Sequence, residues 1–409
     1  MTKTIAILGT LDTKAEELGY LRDIIQEKGL TPLIIDAGIL GDVPFPPDIT
    51  REEVANAAGT TLNEIRSLHD EGKAIAFMAE GASRIMRTLS LQGHLHGIIS
   101  IGGSMGTSLG LTTMRELPIG LPKLMVSTIA FTPLVTGDKV AKDQVMMQVP
   151  VDLWGLNSIN KQSLQSAAHA IIGMAQAYQT LIPEKPMVGV TTRGIMKYLT
   201  WMKPMLEERG YEVVVSHAIG TVGGGTFEHL IHQGFFSAVF DLCVGEVIEE
   251  LNGGALRAGP ERLEAAGMMG IPQIVAPGCM ELWHWPGTVD AVPEGRKIHV
   301  HNPLVLGVKA THEEMIAAAE VMAEKLNRAK GPVIVLFPLH GFDEHDKPGN
   351  VFYDPEGHTI FLNVLRKNLH PSIKIVELDM HINDQAFAEA VVSVFDEMMK
   401  AHTPSLSLH

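Results

Sequence analysis

Residues 9–14 have types that suit the binding of a phosphate group. They directly follow an apolar run, residues 4–8, and precede a helical pattern. Glycine lets a ligand approach the backbone, hydroxyl and ammonium groups bind phosphate oxygens, and a helix start supplies N–H groups. The spacing is not that of a Walker A loop, and a helix capped by Asp12 or Thr13 would also explain the pattern. The cofactor-binding residues predicted here are Gly9, Thr10, Asp12, Thr13 and Lys14.

A second glycine-rich segment, residues 102–107, lies between the apolar run at 98–101 and a helical pattern that ends before Pro118. Closely spaced glycines cost backbone entropy, and a nest of N–H groups around an anion would explain that cost. The alternative is a tight turn between a strand and a helix. The segment does not match the GxGxxG fingerprint. Its predicted cofactor-binding residues are Gly102, Gly103, Ser104, Gly106 and Thr107, and we expect Lys14 or Lys123 to supply positive charge.

The second half of the chain carries residues that suit acid–base chemistry. His217 ends a predicted strand and opens a glycine-rich loop, residues 217–226. An imidazole at such a position is a candidate acid, base or ligand. The predicted catalytic residues are His217, Glu246, His301 and Asn302. A structural histidine would explain His217 equally well.

Two other patterns support weaker hypotheses. Asp36 ends the second predicted strand, where an acidic residue binds a ribose in Rossmann domains. It keeps a nucleoside ligand possible, and with it a nicotinamide-dependent oxidoreductase, although an aspartate before a turn is common. Polar residues also cluster late in the chain, where metal binding is conceivable and a solvated loop is favoured. They are Asp241, Glu246, His299, His301, Asn302, His340, Asp343, His345 and Asp346.

Short apolar runs alternate with helical patterns along the chain, which predicts an α/β fold. Strands are predicted at 4–8, 33–36, 98–101 and 123–127, and the pattern restarts after Pro183 with a strand at 188–192. The sequence therefore predicts two Rossmann-like, doubly wound domains with mainly parallel sheets, at 1–183 and 184–409. In such sheets ligands bind beyond the carboxyl ends of the strands.

The composition limits the possible partners. The chain of 409 residues has a net charge of −15, which argues against a nucleic-acid partner. No apolar run reaches the roughly 18 residues that a membrane helix needs. The two cysteines, Cys243 and Cys279, do not indicate a disulfide framework. We expect a cytoplasmic protein.

Several motifs in a fixed order resemble a known family. They are residues 7–14, 101–107, 117–128, 253–255, 258–262, 301–303 and 381–384. Together they resemble the family of the ATP-binding N-terminal domain of the tomato mosaic virus resistance protein, whose bacterial and fungal members are mostly uncharacterised. The resemblance spans essentially the whole chain.

The resemblance implies two Rossmann-like subdomains, homo-oligomerisation and binding of ATP with Mg²⁺. It also implies a possible TIM-barrel partner protein resembling phosphoenolpyruvate-hydrolase-type enzymes. We therefore expect an ATP-binding protein with a regulatory role or a partner enzyme, and the ligand at the glycine loops of the first domain. The alternative is a hydrolase or lyase that acts on a small anionic metabolite in the cleft between the domains.

Overall fold

The computed structural model describes residues 2–303 and 305–401. The chain forms two compact units, Met1–Ile182 and Pro183–His409. Each unit is built on a parallel sheet with helices on both faces, so the predicted α/β fold class with two doubly wound domains is confirmed.

Within residues 2–182 the first unit has five strands and six helices. The strands are β1 (Thr4–Gly9), β2 (Thr31–Asp36), β3 (Gly97–Gly102), β4 (Lys123–Ser127) and β5 (Val145–Gln148). The helices are α1 (Leu11–Glu27), α2 (Arg51–Ala57), α3 (Leu62–Ser67), α4 (Glu71–Leu91), α5 (Ser104–Arg115) and α6 (Ser158–Ala177).

The strand order of this sheet is β2-β1-β3-β4-β5, and every pair is parallel. Alternate side chains of β1 enter opposite cores, as the pleat of a strand requires. Ile5 and Ile7 pack with α1 and α6, whereas Ala6 and Leu8 pack with α4 and α5. The order of the strands reverses between β1 and β3, which makes that position the topological switch point of the unit.

The second unit contains nine strands within the described residues. They are β6 (Met187–Thr192), β7 (Glu212–His217), β8 (Phe236–Cys243), β9 (Gln273–Gly278), β10 (Leu282–His284), β11 (Ile298–Asn302), β12 (Val305–Lys309), β13 (Val333–Pro338) and β14 (Lys374–Leu378). Its helices are α7 (Tyr198–Glu208), α8 (Gly224–His232), α9 (Glu246–Asn252), α10 (Ala265–Met269), α11 (His312–Asn327), α12 (Pro355–Asn368) and α13 (Gln385–Ala401).

Six of these strands form a parallel sheet in the order β14-β13-β9-β8-β6-β7, and the switch point lies between β6 and β8. The other three form a small antiparallel sheet in the order β10-β12-β11. Of this small sheet the apolar runs of the sequence predict only β11, at 298–301. In the first unit they do not predict β5. They do not predict α2 either, because residues 42–60 are rich in proline, aspartate and glycine, which is typical of an irregular segment. In the structure Thr50 and Glu53 form a capping box at the start of α2.

The start of α1 differs from the prediction. The helix begins at Leu11, so neither Asp12 nor Thr13 is its N-cap. The Asp36 carboxylate accepts the Leu11 N–H at 3.0 Å, which gives the helix a cap from the end of β2. The Asp12 carboxylate instead accepts the N–H of Leu40 at 2.7 Å.

Candidate functional site

The switch point of the first unit brings the two predicted phosphate-binding segments together. Residues 9–14 follow β1 and residues 102–107 follow β3, and these strands are hydrogen-bonded neighbours that run in the same direction. Both segments therefore leave the sheet at its carboxyl edge, and each leads into the N-terminus of a helix, α1 or α5. This is where open α/β sheets bind ligands.

The glycines of the second segment divide into two kinds. A Cβ on Gly102 would lie 2.6 Å from the Cα of Gly106, and one on Gly106 would lie 2.8 Å from the carbonyl oxygen of Ile101. These two residues are therefore explained by close packing of α5 against β3. A Cβ on Gly103 would meet nothing nearer than the Thr128 hydroxyl at 3.8 Å, so packing does not explain Gly103.

The polar residues of the second segment also divide. Thr107 is buried, and its hydroxyl bonds the Ser127 hydroxyl at 2.7 Å. Ser104 is exposed and is the first residue of α5, where no side chain caps the helix. The N-terminus of α5 at Gly103 and Ser104 is thus the part of this segment that is open to an anion.

In the first segment, Thr10 and Thr13 are partly or largely exposed and bond each other at 2.7 Å through their hydroxyls. The Lys14 ammonium donates to the carbonyl of Leu153 and lies 5.9 Å from the ring centre of Trp154. Lys14 is therefore directed to the segment that follows β5, which is at the same carboxyl edge of the sheet. A cleft of about 460 Å³ lies beside the segment that follows β2 and includes Leu40 in its lining.

Two residues of this unit that the sequence predicted to act at the ligand site, Asp36 and Lys123, instead pair with other side chains of the protein. Asp36 is fully buried, and its carboxylate accepts N–H groups from Leu11 and Gly38 and pairs with Arg51 at 2.8 Å. This engagement leaves no oxygen directed at a ribose, so the contacts of Asp36 are those of a structural residue. The expectation that Lys123 supplies charge to the site is wrong, because Lys123 begins β4 at the opposite edge of the sheet and pairs with Asp143 at 2.8 Å.

In the second unit, the glycine-rich loop after β7 already holds a carboxylate of the protein. Glu246 is fully buried, and one of its oxygens accepts the N–H groups of Gly220 and Gly224, each at 2.9 Å. The other oxygen pairs with Arg262 at 2.6 Å. Glu246 therefore fixes the loop, and the structure gives it no free oxygen for the acid–base role that the sequence suggested.

The four predicted catalytic residues lie in two groups. His217 is near Arg193 and Glu246, and burial followed by the charge of Arg193 lowers its pKa while Glu246 opposes that effect. His301 and Asn302 are exposed on β11, where the ring centre of His301 is 6.3 Å from that of His299. The ring centre of His299 in turn lies 4.1 Å from that of His345, with the two rings tilted by 40°.

Metal ligation has no supporting geometry in the described part of the chain. No group of three or more His, Cys, Asp or Glu side chains there is arranged to hold a metal ion. A Mg²⁺ ion that arrives with a nucleotide is held mainly by phosphate oxygens and water. The binding of Mg²⁺ with ATP therefore stays a prediction.

A buried carboxyl group lies just beyond β9. Glu281 is fully buried, and burial followed by the charges of Asp343 and Asp346 raises its pKa well above the ordinary 4.5. A raised pKa means that the folded state favours the protonated acid. The stability that depends on this proton is complete below the ordinary pKa and is lost as the pH rises through the raised pKa.

Glu281→Gln is therefore expected to raise the melting temperature of the second unit at about pH 8. The rise should be roughly 2–4 °C for each kcal/mol of unfolding free energy that the wild type loses because its buried Glu281 must be protonated. The gain should shrink towards about pH 4, where wild-type Glu281 is protonated as well. Thermal unfolding across this range checks the prediction, with Asp290→Asn at an exposed carboxyl group as the control. A variant that is equally destabilised at both pH values would contradict it.

Within residues 2–303 and 305–401, no helix is long and apolar enough to cross a membrane. The fold defines a class, that of proteins with two doubly wound α/β units. In such sheets ligands generally bind at the carboxyl edge.

The chain belongs to the uncharacterised protein family UPF0261. The N-terminal domain of this family matches residues 3–180, and the C-terminal domain matches residues 185–399.

Two relatives and one solved structure illustrate the similarity. A UPF0261 protein of Brucella suis biovar 1 is 40% identical over 96% of this chain and 94% of its own length. The ToMV resistance protein Tm-1 of Solanum lycopersicum is 31% identical over 96% of this chain, which corresponds to 55% of the tomato protein. The UDP-GlcNAc 2-epimerase of Methanocaldococcus jannaschii overlaps with a TM-score of 0.23 at 11% identity, covering 90% of this chain and 100% of its own.

Proposed function

We propose that the protein binds ATP, as its Mg²⁺ complex, at the switch point of the first unit, and that binding regulates a partner protein or the assembly of the chain itself. One observation carries the proposal: residues 9–14 and 102–107 leave adjacent parallel strands at the same edge of the sheet. The uncapped N-terminus of α5 at Gly103 and Ser104 suits a phosphate group.

The regulatory part of the proposal has different support. The tomato relative is named for resistance to a virus and not for a metabolic reaction. Glu246, one of the four predicted catalytic residues, is engaged with Gly220, Gly224 and Arg262. The proposal includes a homo-oligomer and a possible TIM-barrel partner protein resembling phosphoenolpyruvate-hydrolase-type enzymes, as the family resemblance implies. It also includes a cytoplasmic location, as expected from the composition.

Gly103→Asp is expected to weaken ATP binding at least about tenfold while the fold is kept. Aspartate is a favoured N-cap residue, and the Cβ has room at this position. Its carboxylate would occupy the N-terminus of α5 and repel the phosphate groups. Isothermal titration of the full chain with ATP and Mg²⁺ measures the effect, with Gly173→Asp on the exposed side of α6 as the matched control.

The nucleotide proposal fails if the wild-type protein does not bind ATP, or if Gly103→Asp binds it as tightly as Gly173→Asp. Gly103→Asp is a sharper test than Lys14→Ala, because the Lys14 ammonium already has a partner at Leu153. The regulatory part makes a separate claim, that ATP turnover is slow. Rapid hydrolysis by the purified protein, measured as released phosphate, would overturn that part alone.

A further inference from the structure

Arg193 is the first residue after β6, at the switch point of the second unit. Its side chain is buried, with 6% of the residue exposed, and its Nε donates to the carbonyl of Ala218 at 2.8 Å. The two terminal nitrogens, Nη1 and Nη2, are buried and have no hydrogen-bond partner among the described residues. Buried N–H donors without acceptors are costly, so an arginine held in this state needs an explanation.

The groups around Arg193 come from the carboxyl ends of neighbouring strands. Ala218 follows β7, Cys243 ends β8, and Cys279 follows β9. The two thiols are 3.5 Å apart. Burial opposes the charge of Arg193, but these thiols together with Glu249 and Glu246 raise its pKa overall, so the guanidinium keeps its charge.

The nearest carboxylate does not satisfy the guanidinium. The distance from Nη2 of Arg193 to Oε1 of Glu249 is 3.9 Å, which is too long for a hydrogen bond. Glu249 is occupied by the backbone and ring nitrogens of His284 and by the N–H of Leu256. The terminal nitrogens of Arg193 thus have no acceptor among the described residues.

We propose that Arg193 anchors the oxoanion group of a small metabolite, a carboxylate or a phosphate, at the carboxyl edge of the six-stranded sheet. A guanidinium presents paired N–H groups that match either group in a bidentate contact. The position is the one at which doubly wound sheets bind their ligands. The site uses only residues of the second unit and is independent of the nucleotide site proposed for the first.

His217 provides a reporter beside the site. It is exposed, and the charge of Arg193 is one of the causes that lower its pKa. An anion bound to Arg193 offsets that charge, so the pKa of His217 must rise when the site fills. A purely structural arginine would leave the pKa of His217 unchanged when anions are added.

The test is isothermal titration of the full-length Gly103→Asp protein, in which the first site is blocked, with inorganic phosphate and separately with malonate. We expect saturable binding of at least one anion, weakened at least about tenfold in Arg193→Met and less in Arg193→Lys. Arg209→Met is the matched control, because Arg209 is a half-exposed arginine of the same unit that pairs with Asp396. Preference for phosphate indicates a phosphorylated metabolite, and preference for malonate indicates a carboxylate.

The proposal can be tested even if Arg193→Met does not fold, because the pKa of His217 can be followed by NMR in the wild-type protein. The His217 signal is assigned by comparison with His217→Gln. A rise in the pKa of His217 on saturation with the anion is the expected result. The proposal is overturned if neither anion binds saturably, if Arg193→Met binds as tightly as Arg209→Met, or if the pKa of His217 does not move.

Discussion

Replacing Arg262 by methionine is expected to lower the free energy of unfolding of the second unit by about 3–5 kcal/mol. Arg262 is almost fully buried and pairs with three carboxylates: Glu246 at 2.6 Å, Asp241 at 2.7 Å and Glu228 at 2.9 Å. Without the guanidinium, these buried acids lose their shared counter-charge. Chemical denaturation followed by tryptophan fluorescence measures the loss.

Two further variants separate charge from packing. Arg209→Met removes a half-exposed arginine and should cost about 0–1 kcal/mol. Adding Asp241→Asn and Glu246→Gln to Arg262→Met removes uncompensated negative charge and should recover part of the lost stability. An Arg262→Met protein that is no less stable than Arg209→Met would show that the ion cluster does not hold the second unit together.

Asp36→Ala is expected to cost the first unit a similar amount, about 3–5 kcal/mol. The substitution leaves the buried Arg51 without its partner and removes the acceptor from the N–H groups of Leu11 and Gly38. A residue that only bound a ribose would behave differently: stability would be unchanged and nucleotide affinity would fall. Denaturation and ATP titration of the same variant therefore distinguish the two roles.

The matched partner for this experiment is Arg51→Met, which should be destabilised to a comparable extent. Asp36→Leu combined with Arg51→Met should be more stable than either single loss of charge, because a buried ion pair is replaced by apolar side chains. If Asp36→Ala unfolds at the same denaturant concentration as the wild type, the structural role assigned to Asp36 is wrong.

The central strands could be predicted from sequence because their signal is local. Runs such as residues 4–8 and 98–101 are continuous and apolar, as strands buried on both faces must be. The strand Val145–Gln148 lacked that signal because it has four residues and all of them are at least partly exposed. The strand β10 was missed for a related reason, since it has only three residues.

The positions of the candidate residues were predictable where they depend on a segment and not where they depend on a partner distant in sequence. The position of Gly103 and Ser104, between β3 and α5, could be predicted from their own loop. Nothing near Glu246 in the sequence shows that it fills the nest at Gly220 and Gly224, because that contact forms only when α9 packs beside the loop.

Arg193, which we propose to bind an anion, was not identified from the sequence, although a signal was present. A charged residue directly after the apolar strand Met187–Thr192 lies at the carboxyl edge of the sheet, which is the rule that selected residues 9–14 in the first unit. The loop after β7 was predicted instead, because it contains more glycines. The strand order shows that the loop after β6 is the one at the switch point.

The way the sheets are divided along the chain has a consequence for synthesis. All strands of the first sheet come from one stretch that ends at Gln148, and the large sheet of the second unit begins only at Met187. The ribosome therefore delivers every strand of the first unit before any of the second, and domains generally fold as units in that order. Within the first unit, however, β1 lies between β2 and β3, so the backbone groups along one edge of this apolar strand stay unpaired until Gly97–Gly102 has been made. Chaperones are expected to engage the nascent chain in that interval, between the completion of β2 and the emergence of β3.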